Sequence, residues 1–178
     1  MTITTGAWTD EQTAANAFDG CVEHHERSNL LRVYREMRGT LIQPRCCQHD
    51  RAVRIDCVLI PTPKFAGWTL GAVGLEFKKS GMKIGKPVSQ MLDYSRALWK
   101  LPPSGISIAL DWVFLWPAEK EHGDLASLFA QQRIGTAFPS YGGVDFFAGE
   151  VRIFQLRHDG TYQIGTVAAE VGKAVGAR

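Results

Sequence analysis

Two carboxylates and one ammonium group stand on neighbouring apolar stretches of the chain. Residues 74–79 read GLEFKK and follow the apolar run WTLGAV, which predicts a strand that ends in charged residues. Glu76 and Lys78 share one face of that strand, because successive strand side chains point to opposite faces. Asp56 lies inside a second apolar run, RIDCVLI, where an ionised carboxylate is costly without a partner. If the two strands pair in the right register, the three side chains meet in one site.

These residue types are suited to phosphodiester hydrolysis. The oxygens of Asp56 and Glu76 fit Mg²⁺ or Mn²⁺, which fills its other positions with water and a phosphate oxygen. The metal would lower the pKa of a bound water, and Lys78 would position that water or stabilise the transition state. The alternative from the residues alone is a structural ion pair, or charges at an exposed strand edge.

A lysine-rich segment, KKSGMKIGK, follows the charged strand end directly. The formal net charge of the whole chain is only +2, so an affinity for nucleic acid has to come from a local cluster. Lys79, Lys83 and Lys86 are the candidates for contacts to DNA phosphates, and a solvated turn is the alternative.

Apolar spacing predicts the elements that position these residues. A helical pattern opens at Thr9 or Asp10, and the stretch ERSNLLRVYREMRG predicts a helix that ends near Arg38. The predicted strands are TLIQPRC, residues 52–60, residues 68–78 and residues 106–116.

The connections between these elements are also predicted. The segment PTPKFAG is a short Pro/Gly turn, which favours an antiparallel hairpin of the second and third strands. A helix is predicted from Pro87 to Leu101, a short helix within residues 119–135, and a hairpin that turns at Asp159 and Gly160.

Composition narrows the class of protein. A chain of 178 residues with 45% hydrophobic and 21% charged residues is typical of one globular domain. The N-terminus lacks the features of a signal peptide and no apolar run approaches about 18 residues, so we expect a cytoplasmic protein without a membrane segment. The four cysteines form no C-x-x-C pair, so they are expected to be buried or incidental thiols. Adjacent His24 and His25 point about 100° apart on a helix and cannot both face one ion, so both are expected to lie at the surface.

Asp56, followed by Glu76-Phe77-Lys78 about one hairpin later, resembles the D...(D/E)-x-K signature of the PD-(D/E)xK nuclease superfamily. The predicted order helix, strand, strand, strand, helix, strand is similar to the common core of that superfamily. The resemblance implies an α/β (α+β) restriction-endonuclease-like fold, with a central mixed β-sheet flanked by helices. It covers about residues 26–116 of a single domain 1–178, and leaves about 117–178 as an accessory region with a C-terminal β-hairpin.

The resemblance also implies further site residues. In related nucleases a glutamate near the start of the first core helix reaches the metal, and Glu26 is the matching position. The segment SQMLDY resembles the glutamine-bearing helix of RecB-like and exonuclease-like members, so Gln90 is a candidate for contacting the site and Tyr94 a weaker one. The chain departs from the pattern at Ile55, where proline is usual, and in lacking the iron-sulfur cysteines of some RecB-like members.

The predicted function is therefore a Mg²⁺-dependent deoxyribonuclease of DNA repair, recombination or restriction. The alternatives are a catalytically inactive DNA-binding or regulatory protein on the same fold, and an unrelated interaction domain in which Glu76 and Lys78 merely pair. Duplex cutting often needs two active sites, so a homodimer is also predicted.

Overall fold

The computed structural model describes residues 9–42, 50–79, 85–118 and 129–164, with the side chains of residues 85 and 86 left aside. The elements described in full are two helices and ten strands, in a mixed α+β order. They are α1 (Glu11–Arg27), β1 (Leu31–Leu41), β2 (Arg51–Pro61), β3 (Val73–Phe77), α2 (Gly85–Ser95), β4 (Ala97–Lys100), β5 (Ser107–Ile108), β6 (Trp112–Trp116), β7 (Ile134–Ser140), β8 (Gly143–Ala148), β9 (Val151–Arg157) and β10 (Tyr162–Ile164).

All ten strands belong to one sheet, in the order β10-β9-β8-β7-β6-β3-β2-β1-β4-β5. β6 is parallel to both β3 and β7, and the other neighbouring pairs are antiparallel. The central mixed sheet predicted from the sequence is thus confirmed. A parallel pair needs a crossover connection, and α2 lies in the connection between β3 and β6.

The two helices pack against opposite faces of the sheet. On the α1 face, the ring of Phe18 lies 5.6 Å from that of Phe77 and 5.2 Å from that of Trp116. On the α2 face, Met91 packs in a second cluster with Val58 and other strand residues. The sheet around β2, β3 and β6 is therefore buried on both sides, which explains why these strands read as nearly continuous apolar runs.

The sequence of α1 accounts for its start and its orientation. The carboxylate of Asp10 accepts a hydrogen bond of 2.6 Å from the backbone N–H of Thr13, as expected of an N-cap. Ala14, Phe18 and Cys21 recur at helical spacing and are buried. The helix ends at Arg27, shortly before Asn29 adopts a φ of +54°.

The predicted helix ending near Arg38 is wrong, because Leu31–Leu41 forms strand β1 and pairs along its length with β2. Leu31 and Val33 pack with α1, whereas Tyr34 and Met37 pack with α2. The change of face comes near Glu36, whose φ is +53°. This break in the strand alternation placed apolar residues at helix-like intervals.

Of the other predicted elements, the two hairpins are confirmed and two elements have different bounds. The antiparallel hairpin of β2 and β3 is confirmed, as is the one turning at Asp159 and Gly160. The second helix ends at Ser95 rather than at Leu101, because residues 97–100 form β4 beside β1. The strand predicted for residues 106–116 is divided into β5 and β6.

Some predictions fall on residues outside the described ranges. These include most of the strand TLIQPRC and most of the short helix within 119–135, of which residues 129–131 are helical. Strands β7 to β10 continue the central sheet through the β6–β7 pairing, so the described part of the accessory region is continuous with the core. No helix in the described ranges is long and apolar enough to cross a membrane.

Two of the four cysteines, Cys21 and Cys57, are described, and both are buried free thiols. Burial raises the pKa of each to about 12, so neither is a reactive thiolate near neutral pH. Of the two adjacent histidines, His24 is exposed, but His25 is fully buried and stacks on Phe65 at 5.6 Å. The expectation that both lie at the surface is wrong for His25, because it faces the β9–β10 turn.

Candidate functional site

The pairing of β2 with β3 brings Asp56 beside Glu76. Cys57 pairs with Leu75 at the end of this antiparallel ladder, and Asp56 and Glu76 are the next residues of the two strands. The Oδ2 atom of Asp56 accepts a hydrogen bond of 2.6 Å from the backbone N–H of Phe77. The carboxylate of Asp56 is thereby held against the end of β3.

An irregularity in the β1–β2 ladder lies next to Asp56. Arg35 pairs with Cys57 and Met37 pairs with Ile55, but the position between them, Glu36 with Asp56, is absent from the register of the ladder. A φ of +53° is uncommon for a residue other than glycine, and it marks Glu36 as the point where β1 is distorted. Asp56, next to this distortion, lines the cleft beneath α1.

Lys78 joins the carboxylates at the end of β3. Its Nζ lies 2.6 Å from Oε1 of Glu76 and 3.2 Å from Oε1 of Glu11, which stands at the first position of α1. The side chains of Lys78 and Glu76 are only 13% and 4% exposed, so this pair is well shielded from water. Burial lowers the pKa of Lys78, but the hydrogen bond and charge of Glu76 more than offset it, and the net pKa is raised.

The neighbouring carboxyl groups of Asp56 and Glu76 both have a raised pKa. Burial, followed by the negative charge of Asp56, raises the pKa of Glu76 to about 7. Hydrogen bonds from Lys78 and Tyr94 act in the opposite direction. Burial also raises the pKa of Asp56, against the effects of the Phe77 N–H and of Lys78. Near neutral pH the site therefore favours a positive charge placed close to both carboxylates.

A cleft of about 360 Å³ opens beside Asp56, between the first turns of α1 and strands β1 and β2. Its lining contains four carboxylates and two guanidinium groups, contributed by Glu11, Asp19, Glu36, Asp56, Arg35 and Arg54. Arg54 pairs with Glu36 at 2.8 Å, and Arg35 pairs with Asp19. Since acidic groups outnumber basic ones, this cleft would repel a phosphate unless a cation neutralised part of its charge.

The donor set at Asp56 and Glu76 fits a hard divalent cation. Mg²⁺ is commonly bound through one or two carboxylates and completes its shell with water and phosphate oxygens. Asp56 uses one oxygen for the Phe77 N–H, and Glu76 uses Oε1 for Lys78. Across the described residues, however, no three His, Cys, Asp or Glu side chains cluster closely enough to form a larger ligand set.

The structure places Glu11, rather than Glu26, at the site. Glu26 lies in the last turn of α1 and is exposed to solvent. Because the two residues are fifteen positions apart on one helix, they are separated by roughly 22 Å along its axis. Glu26 was assigned as a glutamate near the start of a helix formed by residues 26–39, and the strand β1 removes that assumption. As a metal ligand Glu26 is a wrong assignment on geometric grounds.

The helix α2 presents Tyr94 to the site. A hydrogen bond joins the Tyr94 side chain to Glu76, and the charge of Glu76 adds to burial in raising the pKa of Tyr94 above its usual range. The ring of Tyr94 packs against Trp99 at 5.7 Å. Gln90 is half-buried one turn earlier, on the same side of α2, but it makes no described hydrogen bond to Glu76.

The predicted phosphate-binding lysines are described only in part. Lys79 is exposed directly after β3. Lys83 lies outside the described residues, and Lys86 lies in the first turn of α2, where only the backbone is described.

One contributor to the site, Glu11, carried a sequence signal that was not fully used. The predicted N-cap at Asp10 places Glu11 at the start of a helix, which is the property that was assigned to Glu26. Arg35 carried no such signal, since it fell within a predicted helix. Asp111 accepts a hydrogen bond from the N–H of Ala72 and pairs with Arg133 at 3.5 Å, which makes it a structural residue.

Comparisons of the chain with known proteins find no matching family model, no similar curated protein and no similar solved structure.

Proposed function

We propose that this protein is a metal-dependent nuclease that hydrolyses DNA phosphodiester bonds on a restriction-endonuclease-like core. The observation that supports the proposal is the grouping of Asp56, Glu76 and Lys78 at the end of β3. Asp56 bonds to the N–H of Phe77 and lines the cleft beneath α1, and Lys78 pairs with Glu76. A buried group of two carboxylates and one ammonium is a poor means of stabilising a fold, because desolvation offsets much of the attraction. Perturbed ionisation of this kind is more typical of a reactive site.

In this proposal Asp56 and Glu76 hold Mg²⁺ or Mn²⁺, and Glu11 replaces Glu26 as the nearby carboxylate of the first helix. The metal would supply Lewis-acid stabilisation and a water of lowered pKa. Lys78 holds a proton at Nζ and orients the attacking water, or neutralises charge on the phosphate. Tyr94 fixes the orientation of the Glu76 carboxylate through its hydroxyl.

DNA reaches this site through the cleft beneath α1. Lys79, together with Lys83 and Lys86, would contact phosphates away from the point of cleavage. Gln90, half-buried on α2 near Tyr94, remains a candidate contact to substrate. Cleavage of both strands of a duplex would use two sites, so a homodimer belongs to the same proposal.

The proposal is tested by incubating the purified chain with single-stranded, duplex and branched DNA in Mg²⁺, Mn²⁺ or chelator. We expect cleavage that depends on the metal and falls by at least about a hundredfold in Glu76→Ala and Lys78→Ala. The matched control is Glu23→Ala, which removes an exposed helical carboxylate paired with Arg27 far along α1. Activity that is unchanged by both site substitutions would refute the assignment.

One observation favours a second candidate, a DNA-binding or regulatory protein on the same fold without chemistry. The Nζ of Lys78 already neutralises Glu76 at 2.6 Å. In the described residues, no third His, Cys, Asp or Glu side chain forms a metal-ligand group with Asp56 and Glu76. An inactive protein would bind DNA with a strong dependence on salt and no requirement for metal. A retarded band that yields no product over hours with Mn²⁺ would select this candidate.

A further inference from the structure

Two arginines lie on the strand side of the cleft, directly next to Asp56. Arg54 precedes Asp56 by two residues on β2, and Arg35 on β1 lies opposite Cys57, the residue after Asp56. Both side chains line the cleft. They are the two positively charged side chains in its lining, and neither is used by the metal chemistry proposed above.

The present partners of these arginines hold them weakly. The side chains of Arg54 and Glu36 are 66% and 57% exposed, and those of Arg35 and Asp19 are 34% and 46% exposed. Ion pairs at such exposure contribute about 0–1 kcal/mol, because water screens them. An incoming phosphate can therefore replace either carboxylate at small cost.

The guanidinium group is well suited to that exchange. Its planar fork donates two parallel hydrogen bonds to a phosphate as readily as to a carboxylate, and it stays protonated throughout the accessible pH range. The existing pairs with Glu36 and Asp19 show that both arginines point into the cleft with donors directed at oxygen acceptors.

We propose that Arg35 and Arg54 bind backbone phosphates of the DNA strand that lies in the cleft beside Asp56, exchanging Asp19 and Glu36 for phosphate oxygens. This inference rests on the proposed function, and it assigns the binding of the reacting strand to the floor of the cleft rather than to the lysine-rich segment. The two contacts would flank the position of Asp56 and so fix which phosphodiester bond reaches the site.

The test measures binding separately from cleavage. A fluorescein-labelled single-stranded oligonucleotide is titrated with the full chain in Ca²⁺, which discourages turnover, and the affinity is followed by anisotropy over a range of salt concentrations. We expect Arg35→Ala and Arg54→Ala each to weaken binding roughly fivefold to tenfold. The slope of log affinity against log salt should fall by about 0.7 for each lost phosphate contact to a single strand.

The matched control is Arg27→Ala, which removes an exposed arginine in an ion pair with Glu23 at the far end of α1. Arg54→Lys keeps the charge and loses the fork, so it should recover the salt slope but only part of the affinity. Denaturation curves of each variant check that the fold is retained.

The outcomes separate this inference from the proposed function. If Arg35→Ala and Arg54→Ala bind with the affinity and slope of Arg27→Ala while Glu76→Ala abolishes cleavage, the arginine assignment is overturned and the nuclease stands. If the arginine variants lose affinity and the wild-type protein never cuts DNA, the phosphate-binding assignment of the two arginines is supported and the proposed nuclease activity is refuted. A wild-type protein that neither binds nor cuts the oligonucleotide refutes both.

Discussion

Replacing Glu76 by glutamine should stabilise the protein above neutral pH. The free energy of unfolding should also depend less on pH in this variant than in the wild-type protein. Glu76 has a pKa raised from 4.5 to about 7 in the folded state. Between these values an unfolded chain releases its proton while the folded one keeps it, so stability is full below pH 4.5 and falls as the pH rises toward 7. Since one pKa unit corresponds to about 1.4 kcal/mol, the loss reaches about 3 kcal/mol above pH 7.

Glutamine resembles the protonated form of Glu76 and keeps the capacity to bond with Lys78 and Tyr94. The Glu76→Gln variant should therefore match the wild-type protein near pH 4.5 and exceed it by up to about 3 kcal/mol at pH 8. Asp56 also has a raised pKa, so a smaller loss with rising pH remains in the variant.

Urea denaturation, followed by tryptophan fluorescence at pH 5 and pH 8, gives the free energy of unfolding directly. The control is Glu150→Gln, which changes an exposed carboxylate in the turn between β8 and β9 and should leave the curve of stability against pH where it was. A Glu76→Gln variant that is less stable than the wild-type protein at pH 8 would show that the buried charge stabilises the fold, and would refute the reasoning.

Further predictions concern the surroundings of the site. Tyr94→Phe removes a hydroxyl bonded to Glu76 and should cost about 1–2 kcal/mol of unfolding free energy at pH 8 by urea denaturation, whereas Tyr141→Phe, at a 98% exposed residue, should cost nothing. Phe18→Ala removes a fully buried ring under the site and should cost about 3–5 kcal/mol; a loss below about 1 kcal/mol would contradict the packing of α1. Mg²⁺ should raise the melting temperature more at pH 8 than at pH 6, because protons compete for Glu76, and an equal rise at both values would count against metal binding there.

The sequence predicted best where the chemistry and the apolar pattern agreed. The strand carrying Asp56 and the strand ending in Glu76 and Lys78 are both buried between two helices, so each reads as a short apolar run bounded by turn residues. The Pro/Gly turn between them favoured a hairpin, and the ladder of that hairpin ends at the Cys57–Leu75 pair, next to Asp56 and Glu76.

The sequence predicted worst where the backbone departs from ideal geometry. The left-handed conformation of Glu36 moves Met37 to the opposite face from Val33, and the resulting spacing of apolar residues is that of a helix. This single distortion produced both the wrong helix and the wrong assignment of Glu26. The local propensity of Glu36 does not predict this distortion, because the distortion depends on pairing with β2.

Contacts distant along the chain were equally inaccessible. Glu11 meets Lys78 across 67 residues, and Arg35 meets Asp19 through the packing of α1 on β1. The burial of His25 against the β9–β10 turn likewise depends on where the C-terminal strands join the sheet, since its Nε2 bonds to the carbonyl of Arg157 at 2.7 Å. Such contacts follow from the topology rather than from the periodicity of one segment.

Whether Asp56 and Glu76 jointly hold a divalent cation is tested most directly by a crystal soaked in Mn²⁺ and measured for anomalous scattering. We predict one strong anomalous peak in coordination contact with both carboxylates, with Nζ of Lys78 displaced from its 2.6 Å contact with Glu76. A crystal that shows no peak there, with the ion pair of Lys78 and Glu76 intact at saturating Mn²⁺, would contradict the metal site and with it the proposed nuclease.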